Sequence, residues 1–192
     1  MKRLLVYFFG LVVLLSQSSC GYNTMVEKDQ AVKTQWAQVQ NSYQRRADLI
    51  PNLVNTVKGA ANFEKSTLTD VINARAKATS VQVSADNLTP EKIKQFQEAQ
   101  SQVSAGLGRL LAVSENYPDL KANANFQELQ AQIEGTENRI NVERNKFNTV
   151  TQDYNTYIRS FPQNLFAGLF KFSEKPYFEA DAASQKAPTV QF

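Results

Sequence analysis

Residues 125–162, NFQELQAQIEGTENRINVERNKFNTVTQDYNTYIRSFP, carry the longest apolar stripe in the chain. Phe126, Leu129, Ile133, Ile140, Phe147, Val150, Tyr154, Ile158 and Phe161 recur at helical spacing, and Pro162 stops the run. Side chains three, four and seven positions apart share one face of an α-helix, so this segment reads as a long amphipathic helix. Asn125 followed by Glu128 has the spacing of a capping box at its head. A helix of this length buries its stripe only against other helices.

Working back toward the N-terminus supplies those partners. Val32, Trp36, Val39, Tyr43, Ala47, Ile50, Val54, Val57, Ala61, Leu68, Val71 and Arg75 follow the same mixed spacing of three and four. Pro51 lacks a backbone donor and pushes Ile50 toward extended geometry, which favours two helices meeting at residues 48–51. The unbroken phase is equally consistent with one helix kinked there. Residues 79–87, TSVQVSADN, lose the helical period and read as a surface loop. Thr89-Pro90-Glu91 restarts a helix, with Thr at the cap, Pro at the first position and an acid in the first turn. Ile93, Phe96, Val103, Leu107 and Leu110 form its apolar face, and Asn116-Tyr117-Pro118-Asp119 ends it with turn chemistry. Gly106 and Gly108 have no strand before them, so they read as close helix packing and not as a phosphate loop. Four such helices joined by short loops predict an all-α protein, an antiparallel up-down four-helix bundle over residues 26–161. Phe161, Phe166, Phe170, Phe172, Tyr177 and Phe178 then crowd a tail interrupted by Pro162, Gly168 and Pro176. An irregular, aromatic-rich C-terminal tail over residues 162–192 is expected to fold back on the bundle, or else to expose an apolar patch that docks a partner or a membrane.

The chain has 192 residues, 42% of them hydrophobic, which suits one domain of ordinary size. It contains no His and one Cys, which excludes His-based triads, Cys-His pairs, His-bearing zinc sites, CxxC redox pairs and internal disulfides. No cofactor or metal is expected. The formal charge of +3 includes Lys2 and Arg3; without them 19 basic residues face 18 acidic ones, a net charge of +1. So nearly neutral a body lacks the positive field that nucleic-acid binding requires.

Lys2 and Arg3 precede twelve unbroken apolar residues, 4–15, and then Ser16-Gln17-Ser18-Ser19-Cys20-Gly21. That is the form of a secretory signal peptide, and it is short of the roughly 20 residues a spanning helix needs. Small residues directly before the lone cysteine resemble a lipoprotein signal over residues 1–19. Cys20 is then the lipidated N-terminus of a linking segment, residues 20–25, although Gln17 stands where such signals usually carry Leu. A free Cys20 thiol after an uncleaved anchor is the alternative.

Paired carboxylates are the remaining catalytic chemistry. Glu134 with Glu137, or Asp48 with Glu64, would serve as acid and base, but neither pair is specific, and Glu137 with Arg139 and Glu143 with Arg144 and Lys146 read as ordinary surface charge. Arg45, Arg46 and Asp48, beside Pro51, are the most distinctive charged group. They either cap helix ends or form a patch that grips a carboxylate or phosphate. Bundle topology brings Tyr154, with Tyr157 and Asp153, toward the same groove.

Several segments are similar to the LemA family of bacterial envelope proteins. They are Tyr22-Asn23; Trp36; residues 45–54, RRADLIPNLV; residues 57–61, VKGAA, with Glu64 and Leu68; and Ala74-Arg75-Ala76. Further on come residues 117–123, YPDLKAN; Leu129-Gln130; residues 134–139, EGTENR; Phe147-Asn148; Asp153-Tyr154-Asn155; residues 161–164, FPQN; and Tyr177-Phe178-Glu179. The resemblance implies a membrane-tethered antiparallel four-helix bundle with no assigned biochemical activity. Members commonly carry an N-terminal transmembrane helix, from which the Cys20 leader departs.

Together these readings predict a non-enzymatic protein anchored in the bacterial cell envelope and facing outside the cytoplasm. Its expected role is a scaffold or adaptor for other envelope or membrane proteins. The alternative is a binding module for a small envelope ligand, a cell-wall fragment or lipid. Cys20 is the lipidation site, and Arg45, Arg46, Asp48 and Tyr154 are the candidate partner or ligand surface.

Overall fold

A computed structural model describes residues 2–59 and 63–179, with side chains from Gly21 onward. Among these residues every regular element is helical: α1 (Lys2–Lys58), α2 (Lys65–Ser80), a 3-10 turn (Ala85–Asn87), α3 (Pro90–Ser114), α4 (Pro118–Lys121), α5 (Ala124–Arg159) and α6 (Gln163–Leu169). The leader and Cys20 lie outside the described side chains.

The first position of each long helix follows from local chemistry. Thr89 Oγ1 accepts from the Lys92 amide at 3.3 Å, and Pro90 fills the first helical position of α3, as the sequence predicts. At α5 the cap is Asn123 and not Asn125. Asn123 Oδ1 accepts from the amides of Asn125 at 3.0 Å and Phe126 at 3.2 Å. Asn125 is therefore inside the first turn, one of the orphan donors that the cap satisfies.

The buried face of α5 keeps a strict period of seven: Phe126, Ile133, Ile140, Phe147 and Tyr154 are all buried. α1 shows two such series, Met25, Val32, Val39, Arg46 and Leu53, and Trp36, Tyr43, Ile50 and Val57. A seven-residue repeat keeps one seam facing the partner helix along its whole length, and α1 and α5 accordingly make the most extensive helix pair. Gln35 meets Glu143, Arg46 meets Glu137 and Tyr157 meets Gly21, so the two helices run in opposite directions. α2 lies along α3, where Gly106 lets the helices close: a Cβ there would stand 3.4 Å from Val71 Cγ2. Gly108 faces open space and plays no such part.

The core is divided into two. One cluster gathers Trp36, Tyr43, Phe96, Ile140, Phe147 and Tyr154. The other gathers Ile50, Leu53, Val71, Val103, Leu110, Phe126 and Ile133. Arg46 lies between them along α1, with Glu137 and Gln100 facing it from α5 and α3.

Two sequence expectations fail here for identifiable reasons. No helix boundary occurs at residues 48–51: α1 continues through Pro51 to Lys58. Pro51 cannot donate to the carbonyl of Ala47 four residues back. That oxygen instead accepts from Arg75 Nε at 2.7 Å, reaching across from α2. We expect Arg75→Leu to cost about 1–2 kcal/mol, the worth of a hydrogen bond to a charged donor. In a Pro51→Ala background, where the new amide can serve Ala47, the same change should cost about 1 kcal/mol less. Urea denaturation of the four proteins measures this, and equal costs in both backgrounds would remove the substitute-donor role.

The second failure is the loop. α2 extends to Ser80, and the connection after it, although exposed at Gln82, Ser84, Asp86 and Asn87, is tied into the core. Val83 is buried, and its carbonyl accepts from Trp36 Nε1 at 2.9 Å and Gln40 Nε2 at 3.0 Å. A buried indole N–H needs an acceptor, and in this core a loop carbonyl supplies it.

Candidate functional site

The proposed surface residues do not converge. Arg46 is 1% exposed and serves the interior. Its guanidinium binds Glu137, Ser104 Oγ at 2.6 Å, Gln100 Oε1 at 2.8 Å and the Gln100 carbonyl at 3.1 Å, and it lies 5.2 Å from the centre of the Tyr43 ring. Only Nε lacks an acceptor. Tyr154 is also buried. Its hydroxyl donates to the Ser173 carbonyl at 3.0 Å, and burial pushes its pKa up to about 12, with Asp29 adding to the shift. Both residues thus join elements together and offer nothing to a partner. Asp48 is exposed and accepts from Gln44 Nε2 at 2.8 Å, one turn away. Glu134 and Glu137, considered above as an acid and base, turn to different partners, Gln130 at 3.0 Å and Arg46.

Arg45 remains on the surface, where it lines a wide groove. This groove, about 880 Å³, runs between α1 and α5 and is lined by Gln38, Asn41, Ser42, Arg45 and Leu49 from α1, with Gln132, Gly135, Thr136 and Arg139 from α5. Its residues follow an i, i+3, i+4, i+7 register on both helices, so each contributes one continuous strip. Gly135 leaves the floor open: a Cβ there would meet nothing within 4 Å. Arg45 makes no ion pair among the described residues. Arg139 Nε binds Glu143 at 2.8 Å, and Glu143 is 2% exposed and also receives Gln35 Nε2 at 2.6 Å. The Gln35 hydrogen bond holds the Glu143 carboxyl below the usual carboxylate range against the opposing effect of burial, with Lys146 and Arg139 assisting. Arg139 is thereby fixed at the groove edge. The sequence reading singles out Arg45 alone among these residues; the shared heptad offset of the amides and hydroxyls on two helices is the available signal.

A second feature is the tail. After α6, residues 173–179 run extended across α5 and α3, and side-chain amides grip the backbone. Asn155 donates to the Lys175 carbonyl and accepts from the Lys175 amide, both at 2.9 Å. Asn148 treats Phe178 the same way at 3.0 and 2.8 Å, and Gln97 treats Glu179 likewise at 3.0 and 3.5 Å. Lys175 also pairs with Asp29 of α1 at 3.1 Å. The Phe178 ring enters the core, 5.8 Å from the Trp36 ring centre and 5.3 Å from that of Phe147.

Among the described residues, no three His, Cys, Asp or Glu side chains gather as metal ligands, and no helix is long and apolar enough to cross a membrane. The class of protein these features define is an all-helical one held by long heptad seams, with a polar groove on its surface. The LemA family model matches residues 35–192. The chain belongs to the LemA family. It is 24% identical over 158 residues to Protein LemA of Metamycoplasma hominis, covering 82% of this chain and 68% of that one. It is also similar to Magnetosome protein MamQ 2 of Paramagnetospirillum magneticum, at 22% identity, and to Magnetosome protein MamQ of Magnetospirillum gryphiswaldense, at 23%. Both alignments cover 94% of this chain and 72% of the relative.

Proposed function

We propose that this protein is a membrane-tethered, non-enzymatic adaptor of the bacterial envelope, an antiparallel four-helix bundle whose α1–α5 groove docks a segment of another envelope protein. The observation that carries this reading is the groove itself. It is long, shallow and open, lined by amides, hydroxyls and two arginines, and it lies on two rigid helices. Such a surface suits an extended or helical partner segment with acidic residues. Catalysis is less well served, because the two considered carboxylate pairs point to separate structural partners. The Cys20 leader supports tethering: acyl chains on that residue hold a protein at a bilayer through burial of their methylenes.

The test is in-cell photo-cross-linking of the full chain with a benzophenone amino acid at Asn41. A recurrent membrane-protein adduct is expected, and Arg45→Glu should reduce it about tenfold or more, the effect of placing like charges opposite an acidic partner. Adducts only with itself, or none, would overturn the adaptor reading. The pairing of Arg45 and Arg139 with Ser42 and Thr136 supports a second reading, a small anionic envelope ligand in the same groove. That ligand would raise the melting temperature of the purified protein, since only the folded state binds it.

A further inference from the structure

One surface of the molecule is apolar to a degree that the adaptor groove does not explain. Leu165 and Leu169 lie four residues apart on α6 and are 65% and 72% exposed, and Phe161, just before the helix, is 80% exposed. Phe170 beside them is half exposed. The opposite side of the same helix, Phe166 and Ala167, packs into the core. α6 is thus held in place by one face while a row of large apolar side chains projects from the other. Isolated exposed apolar residues are ordinary, but four large ones together mark a contact surface.

The position of this row identifies what it contacts. The Phe170 ring lies 4.9 Å from the Tyr22 ring, with Phe172 at 6.0 Å, and the Tyr157 hydroxyl reaches the Gly21 carbonyl at 3.5 Å. Through Phe170 the ledge therefore adjoins the point where the chain leaves residue 20, directly after the apolar leader. Charge agrees with that placement. Arg159, which pairs with Glu174 at 3.6 Å, and Lys171 flank the row, and residues 21–25 carry no charge. An apolar row flanked by cations is the composition that lies in the boundary between headgroups and acyl chains of an anionic bilayer.

We propose that α6 is an interfacial foot: Phe161, Leu165, Leu169 and Phe170, with Tyr22, rest in the surface of the membrane that holds the N-terminus. This rests on the tethered reading above. The foot fixes the orientation of the bundle relative to the bilayer, with the tail strap and the α1–α5 seam rising from the surface.

The test is collisional quenching with the full chain reconstituted in phosphatidylethanolamine/phosphatidylglycerol vesicles whose acyl chains are brominated near the headgroup. Leu165→Trp and Val142→Trp both replace exposed side chains, so each should fold. Val142 lies on α5, about 25 Å along the helix from Arg159. The emission contributed by residue 165, taken as the difference between the Leu165→Trp protein and wild type, should fall about twofold relative to unbrominated vesicles, since a footed residue sits at acyl-chain depth. The Val142→Trp protein, and the wild type with buried Trp36 alone, should change little. Equal quenching at residues 165 and 142, with the protein still floating with the vesicles, would overturn the foot and leave the tether standing. Protein that fails to float would overturn the tether and the foot with it. Cross-linking between copies through residue 165, with no quenching, would assign the ledge to a second copy and also overturn the proposal.

Discussion

Replacing Arg46 with Ala should cost about 3 kcal/mol of stability in urea denaturation followed by circular dichroism. The side chain is 1% exposed and binds α3 and α5 simultaneously, through Gln100, Ser104 and Glu137. Its loss takes the shared donor from Gln100, Ser104 and Glu137 at the boundary between the two core clusters and opens a cavity in the α1 seam. Glu137 is 35% exposed and recovers part of its hydration, which keeps the cost at the lower end of the range for a broken buried pair. The companion experiment separates charge from packing. Arg46→Leu with Glu137→Leu removes both ions and should recover most of the lost stability, because well-packed apolar residues replace buried ion pairs at little cost. A loss under about 1 kcal/mol for Arg46→Ala would mean that water already reaches this layer.

Phe178→Ala should be at least as damaging, about 3–4 kcal/mol by the usual cost of truncating a buried aromatic ring. The ring fills the space between Trp36 and Phe147, with the Arg144 guanidinium 5.1 Å from its centre. The readout is a melting curve together with the emission of Trp36, which should shift red as water enters beside the indole. Unchanged stability would show that residues 173–179 add contacts without closing the core.

Much of the fold was legible because heptad series of apolar residues carry their own geometry, and the Thr89-Pro90 start shows how a local rule alone can place a boundary. Pro51 misled because its remedy lies outside its own helix. No local rule anticipates that Arg75, 24 residues onward, will serve the carbonyl that proline abandons. The candidate site was legible only in part for a related reason. Arg45 and Arg46 are neighbours in sequence but point about 100° apart around a helix, so one reaches the solvent groove and the other the interior. Tyr154 belongs to the apolar series of α5, and its hydroxyl is consumed by the tail backbone. Which of two adjacent polar residues falls on the seam depends on heptad phase, a property of the whole helix rather than of the motif.

The amide grip on the tail works as a length gauge. Asn148 and Asn155 are one heptad, two helical turns, apart on α5, a rise of about 10 Å, and the backbone units they hold, Lys175 and Phe178, are three residues apart, about 10 Å when the chain is extended. The two spacings are commensurate. At Lys175 and Phe178 the amides contact main-chain atoms, and Asn155 Nδ2 also donates to the Tyr177 hydroxyl at 3.1 Å, so the grip measures distance and reads one side chain in between. A substitution at Pro176 leaves the gauge in step, and Tyr177→Phe removes one of its contacts without changing the spacing. A one-residue insertion there puts it out of step and, with the period of two in an extended chain, turns the Phe178 ring from the interior to the solvent.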